Sequence, residues 1–145
     1  RSPGVLHIRG RERLSHVGRA GHAAKPTYGK FCMAAMTTIQ LLHELRRVCY
    51  DSSLVDRLEE RILDVDVLHV RVHLAQSDTF INVFYNLATD KTAFALVRDG
   101  RRIYGADNAK TGWHYHPFAD PDQHVTCHEM SFSEFLRSVE IHLNP

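Results

Sequence analysis

Residues 68–74 read Leu-His-Val-Arg-Val-His-Leu, and this alternation of apolar and polar side chains decides the fold class. Successive side chains of a β-strand point to opposite faces, so the segment predicts a strand with one buried and one solvated face. Two further strands are predicted at residues 80–87 and 92–98. Asp99-Gly100 then predicts a tight hairpin, because a type I′ turn needs positive φ at both central positions. The strands therefore follow one another as an antiparallel meander.

Helices are predicted on both sides of this strand region. Apolar residues at helical spacing behind threonine caps predict a helix over residues 37–49. A second helix is expected to begin after Ser53, because an apolar stripe continues to Ile62. The pattern Ser131-x-x-Glu134 is a capping box and predicts a C-terminal helix. The predicted fold class is α+β: an antiparallel β-meander of three to four strands, with N-terminal helices and a C-terminal helix packed on one face.

Charge is distributed unevenly along the chain. Residues 1–32 hold seven Lys or Arg and one acid, a net charge of +6, whereas residues 33–145 hold eleven and sixteen, a net charge of −5. The first segment is interpreted as a basic leader or extension, either upstream sequence or an expression remnant, with the natural start at Met33 or Met36. The alternative is a basic arm that binds nucleic acid or a partner protein. Residues 33–145 predict a single α+β domain, whose acidic balance argues against nucleic-acid binding by bulk charge.

Several classes of protein are disfavoured by what the sequence lacks. No apolar run approaches the ~20 residues needed to cross a bilayer, and no secretory signal is seen. Cys32, Cys49 and Cys127 are an odd number at irregular spacing, which favours a reducing compartment over a disulfide framework. We therefore expect a cytoplasmic protein with no membrane partner. There is no glycine-rich phosphate loop, Gly-x-Ser-x-Gly elbow or Cys-x-x-Cys pair, and no cofactor is predicted.

Functional side chains are concentrated in residues 104–118, Tyr-Gly-Ala-Asp-Asn-Ala-Lys-Thr-Gly-Trp-His-Tyr-His-Pro-Phe. A fourth strand is predicted over 101–104, and we expect it to resume at 113–116 after a loop. A carboxylate beside an imidazole forms a general acid/base pair near neutral pH, as in metal-independent ribonucleases. The predicted catalytic residues are Asp107, Asn108, His114 and His116. The predicted ligand-binding residues are the cations Arg102 and Lys110, for phosphate, and the aromatics Tyr104 and Trp113, for stacking on bases.

Two other interpretations of this segment stay open. His114 and His116 point to the same face of a strand and can bind Zn²⁺ or another transition metal, with His124, Cys127 or His128 as a third ligand. The weaker alternative to a metal-free site is therefore a metal site at His114, His116 and His124. In a purely structural interpretation, Asp-Asn caps backbone amides in a turn and the aromatic residues fill the core.

The motifs of the C-terminal part occur in an order seen in a known family. They are the hairpin turn 98–101, the stretch from Tyr104 to Asn108, the His-x-His segment 112–117, and the helix start Ser-Phe-x-Glu-Phe-Leu at 131–136. In this order, residues 80–143 resemble the small TumE-type toxins of bacterial and archaeal toxin–antitoxin pairs. The resemblance implies a toxin role, an antitoxin protein as partner, and a polar signature formed by Asp107, Asn108, His114 and His116. A long leader ahead of such a domain also suits a mobile gene cassette.

These observations lead to two hypotheses of function. In the first, the protein acts on RNA or another phosphate-bearing target: a histidine is the general acid or base, Asp107 orients it, and Lys110 or Arg102 holds phosphate. In the second, it is a non-enzymatic homodimeric binding module of unknown ligand that uses the sheet or the 104–118 loop. The expected partners are a second copy of the chain, RNA and an antitoxin protein.

Overall fold

The computed structural model describes residues 36–144, which form one antiparallel sheet and two helices. Residues 1–35 and Pro145 lie outside the described part, and so does the predicted basic leader over 1–32. In chain order the elements are α1 (Thr38–Tyr50), β1 (Val55–Leu63), β2 (Val67–Leu74), β3 (Thr79–Asn86), β4 (Lys91–Arg98), β5 (Arg101–Asp107), β6 (His114–His116), β7 (Val125–Thr126) and α2 (Phe132–Leu143).

The sheet is a meander in which each strand pairs antiparallel with the next, in the order β1 to β7. Its hairpins turn through residues in the left-handed region, where Asp is tolerated better than most residues. Asp99 and Gly100 have φ of 50° and 77°, as predicted for the β4–β5 hairpin. The predicted antiparallel α+β class is confirmed. The predicted count of three to four strands is wrong, since the described residues form seven.

Both helices begin with reciprocal caps that the sequence encodes locally. At α1 the Thr37 hydroxyl accepts from the Gln40 backbone N–H, and the Gln40 side chain accepts from the Thr37 N–H. Ser131 and Glu134 form the same capping box at α2. Each box satisfies donors that the first turn of a helix leaves free. The predicted helices near 37–49 and after Ser131 are confirmed.

The predicted second helix after Ser53 is wrong, because this segment forms strand β1. Its apolar residues do recur at helical spacing, but β1 pairs with β2 along most of its length, with two register irregularities. Strand pairing at the edge of a sheet thus overrides a helix-like pattern. More than one N-terminal helix was predicted, but in the described part of the chain only α1 precedes the strands.

Both helices pack on the same face of the sheet, which we call the covered face. Phe94 of β4 contacts Phe132 and Phe135 of α2, and Ser52, in the turn that follows α1, donates a hydrogen bond to Glu140 of α2. The covered face holds the core. Its fully buried side chains include Leu45, Leu68, Val70, Val72, Ile81, Val83, Phe94, Leu96, Phe135 and Val139.

The other face, which we call the open face, is contacted by neither helix. Its residues follow from the strand register and from the alternation of side chains. From β1 to β6 they are Arg57, Glu59, Ile62, Val67, His69, Arg71, His73, Phe80, Asn82, Phe84, Asn86, Lys91, Ala93, Ala95, Val97, Arg102, Gly105, Asp107, His114 and His116. Among the described residues, no helix is long and apolar enough to span a membrane.

Candidate functional site

The candidate site lies where β5, β6 and β7 pair at one edge of the open face. The chain reverses after β5 through Lys110 and Gly112, whose φ angles are 62° and 106°. β6 therefore runs back along β5 as a separate strand and does not continue the fourth strand as predicted. In the resulting register Asp107 lies opposite His114.

Asp107 lies between two histidines. Its Oδ1 is 3.3 Å from Nε2 of His114, and its Oδ2 is 3.3 Å from Nε2 of His116. The side chains of Asp107, His114 and His116 are only 20%, 12% and 4% exposed. The structure thus brings together three of the four residues predicted to be catalytic, in a partly desolvated site.

His124 joins this group from the start of β7. The pairing of His114 with Thr126 and of Tyr115 with Val125 carries His124 to the position beside His116. The ring centroid of His124 is 4.9 Å from that of His114 and 4.6 Å from that of His116. One ring nitrogen of each histidine lies within 4.8 Å of one nitrogen of each of the others. The histidines of the alternative metal site are therefore the ones that converge, whereas Cys127 and His128 are not in the group.

The hydrogen bonds of His114 show which of its nitrogens is available. Its Nδ1 is 3.0 Å from the carbonyl oxygen of Gly112. A carbonyl can only accept, so Nδ1 carries the proton and Nε2 faces the Asp107 carboxylate. Two electron-rich atoms at this distance repel each other unless a cation intervenes. Either a proton or a metal ion between Nε2 of His114 and the Asp107 carboxylate would remove this repulsion.

His116 presents a second free nitrogen. Its Nε2 donates to Asp107, because the carboxylate is an acceptor. Its Nδ1 is buried and has no hydrogen-bond partner among residues 36–144. Burial lowers the pKa of His116 below its ordinary value; the hydrogen bond to Asp107 opposes this shift, and the charge of Arg102 adds to it. Burial thus favours the neutral form of His116, in which Nδ1 carries a lone pair without a partner among residues 36–144.

Gly105 allows two of the site's side chains to approach each other. It lies opposite His116 in the register, and a Cβ built on it would be 3.1 Å from Cδ of Arg102 and 3.4 Å from Cδ2 of His116. Arg102 also donates to the Pro121 carbonyl oxygen at 2.9 Å. A predicted phosphate-binding cation thus lies beside His116. Gly105 itself was not predicted as a site residue, although a small residue paired with a histidine is a usable signal.

The remaining predicted residues lie elsewhere. Asn108 accepts from the Thr92 backbone N–H and donates to the Asp90 carbonyl oxygen, which fits the structural interpretation of a turn cap. Lys110 is exposed in the β5–β6 turn, and within the described part of the chain no hydrogen bond or ion pair links it to the histidines.

The two aromatic residues predicted to bind ligand, Tyr104 and Trp113, both lie on the covered face. Tyr104 stacks between Phe118 and Phe135, at centroid distances of 4.3 and 4.9 Å. Trp113 packs against Phe94. Strand alternation is the physical reason: residues next to His114 or Gly105 must point to the opposite face.

No protein-family model matches this chain, and neither a curated protein nor a solved structure is significantly similar to it. The resemblance of residues 80–143 to TumE-type toxins, and the antitoxin partner that it implies, therefore stay predictions.

Proposed function

We propose that this protein is a metal-dependent hydrolase, with a divalent transition-metal ion held by His114, His116 and His124. The convergence of three imidazole nitrogens beside a carboxylate carries the proposal. The partnerless buried nitrogen of His116 supports it independently. Three histidines with a fourth position open to water are typical of catalytic zinc, so Zn²⁺ is the first candidate.

The hydrogen bonds around the histidines fit this role. Ligating histidines usually give their second N–H to a carboxylate or a backbone carbonyl, which fixes the tautomer and raises the basicity of the ligand. His116 gives it to Asp107, and His114 gives it to the Gly112 carbonyl. Both rings are thus oriented by partners on β5 and in the β5–β6 turn.

The separation of the nitrogens also suits an ion. A tetrahedral Zn²⁺ about 2.0–2.1 Å from each nitrogen holds them about 3.3 Å apart. The nitrogens are within 4.8 Å of one another, and His124 is exposed, so its ring can rotate towards the other two. Among the described residues, no hydrogen bond holds the His124 ring in place.

We propose RNA phosphodiesters as the substrate. Arg102, beside His116, supplies a positive charge for a phosphate oxygen. A bound metal ion lowers the pKa of its water towards about 7. In phosphodiester hydrolysis Asp107 would take a proton from the attacking water as the water oxygen bonds to phosphorus, and would give that proton to the leaving oxygen as its P–O bond breaks.

The second candidate is metal-independent RNA cleavage by the same residues. It is favoured by the 3.3 Å contact of Asp107 with His114, which a proton would turn into an imidazolium–carboxylate pair. In this chemistry a neutral histidine takes the proton of the 2′-hydroxyl, whose oxygen attacks phosphorus. A protonated histidine then donates its proton to the departing 5′-oxygen, leaving a cyclic phosphate.

Metal binding is tested by calorimetric titration of the tag-free full chain with Zn²⁺ after chelation. We expect a high-affinity site that His114→Ala or His116→Ala weakens by at least about 100-fold, and Asp107→Asn by about 10–100-fold. His43→Ala removes an exposed histidine of α1 and is the matched control, with unchanged affinity. Equal affinities for the wild type and His116→Ala would overturn the proposal.

Catalysis is tested by cleavage of a fluorescent RNA by the wild type, with EDTA and after Zn²⁺ is restored. The metal-dependent mechanism predicts that EDTA abolishes cleavage and that Zn²⁺ restores it in the wild type but not in His116→Ala. Cleavage that persists in EDTA and is lost in Asp107→Asn would establish the second candidate instead. No cleavage under any condition would contradict both candidates.

A further inference from the structure

A second group of functional side chains lies on the open face, on β2 and β3. The register places His73 opposite Phe80, Arg71 opposite Asn82 and His69 opposite Phe84. Cationic, aromatic and amide side chains therefore form a continuous surface that neither of the two described helices covers. Nothing in the hydrolase proposal uses these residues.

Arg71 is the distinctive member of this surface. Its guanidinium carbon lies 4.2 Å above the centroid of the Phe80 ring. Its Nε is buried, yet has no hydrogen-bond partner among the described residues. Glu59, directly opposite Arg71 in the register, instead contacts His73 at 2.8 Å and Arg61 at 2.7 Å. Arg71 is thus held over an aromatic ring, and Glu59, its register partner, forms its ion pairs with other residues.

A cleft adjoins Arg71 at the end of the sheet formed by the β2–β3 and β4–β5 turns. Its volume is about 590 Å³. Arg57, Arg71, His73 and Phe80 line it together with three carboxylates, those of Asp56, Asp78 and Asp99, so a phosphate has to bind at the Arg71 side. Binding pockets for small molecules are about 300–1,000 Å³, so the cleft can take one nucleotide.

The charge of the open face is opposite to that of the domain. Residues 33–145 have a net charge of −5. The open face carries the cations Arg57, Arg71, Lys91 and Arg102 against the carboxylates of Glu59 and Asp107, a surplus of two positive charges. An acidic domain with one cationic, aromatic face favours an anionic partner that stacks.

We propose that the open face binds a single-stranded nucleic acid, with Arg71 and Phe80 as its main anchor. A base stacks beside Phe80 on the Arg71 guanidinium, and the guanidinium donates to a phosphate oxygen. A single strand is required because the bases of a duplex do not offer their faces to a sheet. The proposal is independent of the metal site, since it concerns binding and not cleavage.

The test is fluorescence anisotropy of a labelled oligo(U) of about 12 nucleotides, a length in the range that single-strand-binding domains cover. The full chain is used in EDTA, so that no metal-dependent cleavage occurs. Arg71→Ala should weaken binding about tenfold or more, and Arg71→Lys should weaken it less. Arg137→Ala removes an exposed cation of α2 and should change affinity less than about twofold.

The salt dependence separates a direct contact from a structural effect. Loss of one phosphate contact lowers the slope of log affinity against log salt by about 0.7 for a single strand. Arg71→Ala, but not Arg137→Ala, should show this reduction. The basic residues 1–32 are present in all variants and cannot create a difference between them. Oligo(dT) in parallel shows whether RNA or DNA binds better.

Three outcomes would overturn the proposal. The first is binding that Arg71→Ala leaves unchanged, which would assign it to other cations. The second is equal affinity for a duplex of the same length, which would mean that no base is stacked. The third is a dimer in sedimentation velocity that Arg71→Ala dissociates while oligo(U) does not bind, because a second copy would then occupy the face. Phe80→Leu provides a further variant if both Arg71 variants unfold.

Discussion

The covered and open faces of the sheet differ in whether their side chains find partners inside the fold. Strand β6 shows the contrast within a few residues: Trp113 and Tyr115 pack against the core, whereas His114 and His116 point to the open face. On the open face, nitrogens of His116 and Arg71 stay without partners among the described residues. The covered face therefore contributes most of the stability, whereas the open face holds polar atoms that can bind a ligand.

The largest effect expected from this comparison is on stability. Phe135→Ala removes a fully buried ring that contacts Phe94 and Tyr104, and should lower the free energy of unfolding by about 3–5 kcal/mol. Phe84→Ala, on the open face, removes a half-buried ring and should cost about 1 kcal/mol. Urea denaturation measures both. Equal losses of unfolding free energy would show that the open face contributes as much to stability as the covered face.

The next effect is stabilisation of the fold by metal. Zn²⁺ at about 100 times its Kd should raise the free energy of unfolding of the wild type by about 2.7 kcal/mol. In His116→Ala the gain should vanish, because the site is incomplete. His43→Ala should retain the full gain. Thermal denaturation with and without Zn²⁺ measures the difference, and a gain that survives in His116→Ala would place the metal elsewhere.

Two glycine substitutions separate the site from the scaffold. At Gly105 an added Cβ meets the Phe94 carbonyl oxygen at 3.2 Å, Arg102 and His116. Gly105→Ala should therefore cost about 1–3 kcal/mol and also weaken Zn²⁺ binding. A Cβ added at Gly100 would meet no atom of the described residues within 4 Å beyond its chain neighbours, but the φ of Gly100 is +77°. Gly100→Ala should cost about 1 kcal/mol through backbone strain and leave metal affinity unchanged. Calorimetric titration measures the Zn²⁺ affinity of each variant, and urea unfolding curves measure its stability.

The smallest effect concerns acid pH. Hydrogen bonds from His73, and secondarily from Arg61, lower the pKa of Glu59 from 4.5 to about 2. A depressed carboxylate pKa stabilises the fold above about pH 4.5, and the contribution is lost as the pH falls from 4.5 to 2. Because the Glu59 side chain is 39% exposed, solvent screens these interactions and the contribution is small. The stability difference between the wild type and Glu59→Gln should shrink over this range; a constant difference would contradict the assignment.

Features that depend on neighbours in sequence could be predicted. The caps at Thr37 and Ser131 and the Asp99-Gly100 hairpin involve residues at most a few positions apart, so their chemistry is visible in the chain. Strand β1 could not be predicted, since its apolar spacing is helix-like and only its pairing with β2 selects the strand.

The site was predicted only in part, because local patterns are visible in the sequence and long-range strand pairing is not. His114 and His116 share a face because they are two residues apart on a strand, which alternation alone requires. Their approach to Asp107 and His124 depends on the reversal at Gly112 and on two short strand pairings, which no local pattern reveals. Alternation also indicates that Trp113 cannot join them, a signal that the ligand-binding prediction overlooked.

The most direct test of the central claim is a long-range ¹H–¹⁵N NMR spectrum of the histidine side chains, recorded with and without Zn²⁺. This spectrum identifies which ring nitrogens carry a proton, a lone pair or a metal. We expect one equivalent of Zn²⁺ to shift the signal of one nitrogen in each of His114, His116 and His124, while the proton on Nδ1 of His114 stays in place. Unchanged signals from these three rings, or shifts confined to other histidines, would contradict a metal centre on the open face.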